Sequence, residues 1–227
     1  MREIVLDTET TGFDPEASHK IVEVACVELF NHMRTGEYFH AYINPERDVP
    51  DEAFQVHGLS TDFLKDHRIF GHIAGDMLDF IKGSPLIIHN AAFDLKFLNH
   101  ELRFAGFPSL DGHPFVDTLF MARKAFPGAQ ASLDALCKRF KIDLSRRSKH
   151  GALLDAELLA EVYLELKGGK QHGLGFTSIE TPNKQDEFIA QRSSIAFPHR
   201  TFPVTEEESQ LHEKLVATLP NSVWNKG

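Results

Sequence analysis

Two cysteines in 227 residues leave no room for a disulfide framework. Cys26 and Cys137 stand alone in the sequence, a usage that fits a reducing, cytoplasmic setting. No apolar run approaches the roughly 20 residues that cross a bilayer, and no signal-type segment precedes the first strand-like stretch, so no membrane partner is expected. Neither G-x-G-x-x-G nor G-x-x-x-x-G-K-[ST] occurs, which disfavours Rossmann and P-loop nucleotide proteins. No Cys/His cluster has zinc spacing. Positive charge is also short: 24 Lys and Arg against 33 Asp and Glu give a net charge of −9, the opposite of a protein that coats nucleic acid through a basic surface. What is present is a 42% hydrophobic content, enough for one sizeable domain with an appendage and too much for global disorder.

The hydrophobic pattern opens with strands and continues with alternating strands and helices. Residues 3–9 read as a buried strand that turns polar at its end, followed by strands over about 20–29 and 38–43. Ile73, Met77, Leu78 and Ile81 have helical spacing, and residues 85–89 form an apolar run too short for a helix. Phe93, Phe97, Leu98 and Leu102 mark an amphipathic helix, and helices are expected over 118–126, 132–140 (with Ser132 as N-cap) and 151–166. This order predicts an α/β fold, a mixed sheet flanked by helices. Composition then shifts. Residues 1–168 make the domain, the Gly- and Lys-rich residues 169–190 a linker, and 191–227 a tail. The tail holds a short strand at 194–197 and a helix opened by a capping box, Thr205-Glu-Glu-Glu208, with Leu211, Leu215, Val216 and Leu219 on one face. So small a segment cannot bury that stripe by itself and is expected to dock on a partner.

Chemistry concentrates in acids at element ends. Asp7 and Glu9 are two apart on the first strand, so both carboxylates face the same way. The same residues also suit a turn, and the pair alone leaves both readings open. Asp94 lies where the run at 85–89 passes into a helix, and Asp155 lies in the first turns of a later helix among apolar neighbours. Either is also an ordinary first-turn acid favoured by the helix dipole. If the four converge, their hard oxygen donors suit Mg²⁺ or Mn²⁺. His150, five residues before Asp155, reads either as an exposed histidine or as a general base, since an unperturbed imidazole titrates near neutral pH. Between 138 and 149, Lys138, Arg139, Lys141, Arg146, Arg147 and Lys149 face only Asp143, a local basic run that reads either as a solvated loop or as the place where a phosphate backbone approaches.

Taken in series, Asp7-Thr-Glu9-Thr-Thr-Gly12, His89-Asn-Ala-Ala-Phe-Asp94 and His150-Gly-Ala-Leu-Leu-Asp155 resemble the three motifs of the DnaQ-like, DEDDh-type 3′→5′ exonucleases. The likeness covers about residues 1–170 and is supported by Glu52-Ala-Phe54, Val56-His-Gly58 and Ser132-Leu-Asp-Ala-Leu-Cys137. It implies an RNase H-like fold. It implies two divalent cations, Mg²⁺ or Mn²⁺, held by Asp7, Glu9 and Asp155, with Asp94 acting through water. His150 is implied as general base, which separates this chain from the branch that uses tyrosine. Asp7, Glu9, Glu52, His57 and Asp155 are implied to contact the substrate.

Within the family the resemblance is to proofreading exonucleases that work beside a bacterial replicative polymerase on the 3′ end of a DNA primer. It implies the polymerase alpha subunit as partner through the tail, and leaves open whether a small third core subunit binds. Gln171, Leu174 and Phe176 fit the Gln-x-x-Leu-x-Phe pattern that inserts apolar side chains into the sliding clamp (beta). The residues themselves leave a plain linker equally open there. Trp224 has the character of an interface anchor. An RNA 3′→5′ exonuclease of the ribonuclease T or oligoribonuclease type is the main alternative. It would share the site, but not the roughly 60 residues beyond the last domain helix. A tethered scaffold with an inactive nuclease fold is disfavoured by the presence of all five core residues.

Overall fold

The computed structural model describes residues 1–145, 147, 149–169 and 204–218. These fall into two units, a domain reaching to residue 169 and a separate helix at 206–218.

In the domain, five strands are ordered β3-β2-β1-β4-β5: β1 (Arg2–Thr10), β2 (Ile21–Phe30), β3 (Met33–Tyr42), β4 (Leu86–Ile88) and β5 (Phe115–Asp117). β1 runs antiparallel to β2 and parallel to β4, and β5 continues parallel to β4. β1 is therefore central, and its side chains alternate between two buried faces. Ile4 and Leu6 pack into one core with Met77 and Ile81 of α3 (Ala74–Ile81) and Phe97, Leu98 and Leu102 of α4 (Ala91–Phe104). Val5 packs on the other face against Ala152, Ala156, Leu159 and Ala160 of α7 (Ala152–Leu166). Alanine at 152, 156 and 160 repeats every fourth residue, a small-residue stripe that lets α7 approach the sheet closely. Two further helices, α5 (Thr118–Ala125) and α6 (Leu133–Phe140), pack beside α7 through Ala122, Leu136 and Cys137. The mixed sheet with flanking helices is the architecture expected above.

Several boundaries shift. β3 begins at Met33 rather than near Tyr38, because its exposed first half carries no hydrophobic alternation. Two short helices, α1 (Asp51–His57) and α2 (Thr61–Leu64), were not legible. Pro50 stands at the α1 N-cap with no side-chain cap bond, so α1 lacks a start signal. β5 was missed because three residues show no periodicity. Ser132 caps α6 as expected, accepting from the Ala135 N–H at 3.3 Å. Considered alone, the second unit is the helix α8 (Glu206–Thr218). Its capping box is formed: Thr205 N–H donates to Glu208 Oε2 at 2.8 Å, and Glu208 N–H donates to Thr205 Oγ1 at 3.3 Å. Leu211 and Leu215 are exposed. The expected strand at 194–197, the clamp pattern at 171–176, Leu219 and Trp224 lie outside the described residues.

Candidate active site

The odd-numbered face of β1 sorts its side chains by depth. Glu3 at one end accepts from the Tyr163 hydroxyl of α7 at 2.8 Å, Val5 fills the middle, and Asp7 and Glu9 emerge at the other end. The same end holds the start of α4 and the start of α7. Asp94 is the fourth residue of α4 and Asp155 the fourth of α7, so each carboxylate sits in a first turn where free N–H groups and the helix dipole favour an anion. Glu9 is also the last regular β1–β2 pair before the register shifts, a bulge position of the kind that re-aims a side chain.

Charge then builds up with little to offset it. Burial, and next the charges of Asp94, Glu9, Asp155 and Glu23, raise the Asp7 carboxyl well above its ordinary value. Burial followed by the charges of Asp155, Glu23 and Asp94 raises Glu9 to about 8. Burial raises Asp94 to about 7, although the Thr8 hydroxyl donates to its Oδ1 at 2.7 Å and favours the charged form. Asp155 goes the other way. Burial pushes it up, but hydrogen bonds from His150 and Arg147 more than offset this and hold it low. Three carboxyls that resist ionising at neutral pH form a site short of positive charge.

His150 lies on the loop just before α7 rather than in the helix, with Gly151 as the N-cap residue, and its backbone N–H donates to Val56 O at 3.2 Å. Its side chain is 48% exposed, and Nδ1 lies 3.2 Å from Asp155 Oδ2. Donor atoms of Glu9, His150 and Asp155 all lie within 4.8 Å of one another, the spacing of groups that can share one cation. Oxygen-rich, buried and under-compensated, the set fits a hard divalent ion.

Glu52 and His57 line, with Thr8, Glu9, Gly12, Phe13 and Phe93, an adjoining cavity of about 440 Å³. His57 Nδ1 accepts from the Leu59 N–H at 3.0 Å, and burial lowers its pKa, so the neutral ring carries its proton on Nε2. A backbone hydrogen bond with Thr10 opposes that lowering and ties the ring to the end of β1.

Two residues that position the site were missed. Glu23 pairs directly across from Glu9 and is buried, an arrangement that like charges disfavour. Its Oε2 accepts from the Ala152 N–H at 3.1 Å and its Oε1 lies 2.7 Å from His40 Nε2, so it caps the helix that carries Asp155. A lone acid in the apolar run Ile21-Val-Glu-Val-Ala-Cys-Val27 was a readable signal. Arg147 is not the phosphate-facing cation that its basic run suggests: its side chain is 7% exposed and turned inward. Nη2 donates to Asp155 Oδ2 at 2.7 Å, Nε lies 2.6 Å from Asp155 Oδ1, and Nη1 pairs with Asp134. A buried carboxylate cluster draws in the nearest flexible cation, and within a run of six cations nothing in the sequence marks which one. Arg146 lies outside the described residues.

An exonuclease family model, RNase_T, matches residues 4–163. Relatives named DNA polymerase III subunit epsilon match almost end to end. That of Rickettsia typhi is 51% identical over 221 residues, covering 95% of this chain and 96% of its own. That of Escherichia coli K12 is 44% identical over 220 residues, covering 93% and 90%. The chain belongs to the exonuclease family, in its epsilon-subunit branch. With that membership come a 3′→5′ exonuclease activity and divalent metal ions as cofactors. The exonuclease fold is shared with the nuclease domain of 3′hExo, a DEDDh family member bound to rAMP (TM-score 0.62, 21% identity, 74% of this chain and 92% of that one). It is shared too with exonuclease X in complex with 5′ overhanging duplex DNA (TM-score 0.57, 23% identity, 72% and 90%).

Proposed function

We propose that this exonuclease removes mispaired 3′-terminal nucleotides from a DNA primer as the proofreading subunit of DNA polymerase III. The observation that carries the reading is the gathering of Asp7, Glu9, Asp94 and Asp155 at one end of β1, with three of the four held above their ordinary pKa.

Asp7, Glu9 and Asp155 would hold two divalent ions, Mg²⁺ or Mn²⁺, with Asp94 acting through water and fixed by Thr8. Such ions supply stabilisation for the attacking and the departing oxygen of a phosphodiester. The chain's own residues do the rest. The cavity beside the acids seats the terminal nucleotide between Phe93 and the α1 residues Ala53 and Val56, within reach of Glu52 and His57. Asp7, Glu9 and Asp155 border the scissile group. His150, half-exposed on its loop, takes the proton from the attacking water at a ring nitrogen as the phosphorus–oxygen bond to the 3′ oxygen breaks. A 5′-mononucleotide leaves, and the departing 3′ oxygen takes a proton from solvent water to become the hydroxyl of the shortened strand.

The tail at 191–227 binds the polymerase alpha subunit, and the capped helix α8 with exposed Leu211 and Leu215 supports such docking. Gln171, Leu174 and Phe176 meet the sliding clamp from the 169–190 linker, a small third core subunit completes the assembly, and the protein works in the cytoplasm. The relatives' name and near-complete overlap support assembly with the polymerase. The net charge of −9 supports dependence on a partner, since a chain so acidic holds DNA weakly by itself.

The test offers a 3′-mispaired DNA primer, the matched primer and an RNA of the same sequence to the full chain with Mg²⁺. Faster release of mononucleotides from the mispaired end is expected. Release from RNA alone would replace this reading with the RNA-exonuclease one.

A further inference from the structure

Arg147 occupies the ground that a divalent cation would need. Its guanidinium covers both oxygens of Asp155, at 2.7 Å and 2.6 Å. Asp155 is at the same time one of the three groups spaced to share a cation. The same Nη2 lies 2.8 Å from His150 Nδ1, closer than Asp155 does at 3.2 Å. Nδ1 therefore lies against the Arg147 guanidinium and the Asp155 carboxylate at once. One side chain thus covers the Asp155 carboxylate and the general base together.

Arg147 also has somewhere to go. Its Nη1 pairs with Asp134 of α6, whose side chain is 49% exposed and which touches neither His150 nor Asp155 in any described hydrogen bond or ion pair. We infer that Arg147 is a built-in counter-ion and gate. It holds Asp155 and His150 in an inactive pairing while no divalent ion is bound, and it yields to the ion by swinging back onto Asp134. Two cations cannot share the same pair of carboxylate oxygens without repulsion, so ion entry and Arg147 withdrawal are one linked event. By reciprocity, whatever weakens the Arg147 contact strengthens ion binding. The purpose is economy of charge. An exonuclease idle between mispairs keeps a buried carboxylate compensated and the histidine beside it held in place.

This inference rests on the reading of the acids as divalent-ion ligands, and its test reads binding rather than turnover. Mn²⁺ is titrated into the full-length chain, followed by calorimetry or by the spectrum of free Mn²⁺, for the wild type, Arg147→Gln and Asp134→Asn. Arg147→Gln is expected to bind the first Mn²⁺ about tenfold more tightly, the middle of the usual range for coupled sites. Asp134→Asn takes away the carboxylate onto which Arg147 withdraws. It removes a negative charge, which by itself weakens cation binding, and it also removes the resting place, so weaker Mn²⁺ binding is expected. A Mg²⁺ titration of ¹⁵N-labelled chain adds a direct view: the Arg147 Nε–H signal, identified by its absence in Arg147→Gln, is expected to move as Mg²⁺ saturates the site. Unchanged or weaker Mn²⁺ binding in Arg147→Gln overturns the gate, as does tighter binding in Asp134→Asn or an Nε–H signal unmoved at saturating Mg²⁺. If Arg147→Gln does not fold, Arg147→Lys identifies the Nε–H signal by its absence, and that signal and Asp134→Asn decide. Tighter Mn²⁺ binding with no nucleotide release from DNA by wild type would keep the gate and remove the proofreading reading. Release with unchanged binding would do the reverse.

Discussion

Glu9→Gln tests the electrostatics of the site without any substrate. Glu9 is buried and its pKa rises from 4.5 to about 8, so ionising it in the folded chain works against folding. A folded-state pKa above the unfolded one gives stability that is fully present below the unfolded value, near pH 4.5, and is lost as pH rises through the folded value, near 8. Linkage between those two values puts the cost of Glu9 at about 1 kcal/mol at pH 5 and about 4 kcal/mol at pH 8. Water entry and small shifts of neighbouring side chains relieve part of this, so a gain of about 2 kcal/mol at pH 8 is expected for Glu9→Gln over wild type. In a domain of this size that raises the melting temperature by about 4–8 °C. The assay is thermal or urea unfolding of wild type and variant at pH 5 and pH 8 in EDTA, repeated with Mg²⁺. The variant should lead at pH 8 in EDTA, lose most of that lead at pH 5, and lose it again with Mg²⁺, which compensates the wild-type carboxylate. An equal difference at both pH values, or a variant less stable at pH 8, would refute the account of an uncompensated cluster.

Other perturbations separate holding the site from using it. Thr8→Val deletes the hydroxyl that donates to Asp94 at 2.7 Å, and so should raise the Asp94 carboxyl further and move the acidic limb of the pH–rate profile to higher pH; an unmoved limb would separate Asp94 from the rate. Glu23→Ala leaves the Ala152 N–H uncapped and His40 unpaired, with an expected loss of about 1–3 kcal/mol in urea unfolding at pH 7. His150→Gln should keep the wild-type melting temperature within a degree or two, since the side chain is half-exposed, while kcat falls by about 10²–10⁴; near-full activity at neutral pH would remove it as the base.

The acids were legible because strand and helix geometry place them almost unaided. A period of two puts Asp7 and Glu9 on one face, and a first-turn position on an amphipathic helix gives Asp94 and Asp155 their depth. The capping box at Thr205 and the Ser132 cap were legible because their partners are three residues away. What stayed hidden depends on contacts across the chain. Glu23 reaches the Ala152 N–H across 129 positions, and β5 exists only because β4 offers it an edge. Arg147 is hidden for another reason. Within a run of like cations, direction is decided by the buried charge nearby, which local sequence does not record.

The central claim is that the carboxylates at the end of β1 work by holding divalent ions against the 3′ end of DNA. The most direct measurement is single-turnover release of the terminal nucleotide from a mispaired primer by wild type and Asp7→Ala, titrated with Mg²⁺ from an EDTA-stripped start. Release that rises with Mg²⁺ in wild type and stays at background in a folded Asp7→Ala is the predicted result. Release in EDTA, or a rate that survives Asp7→Ala, would contradict it.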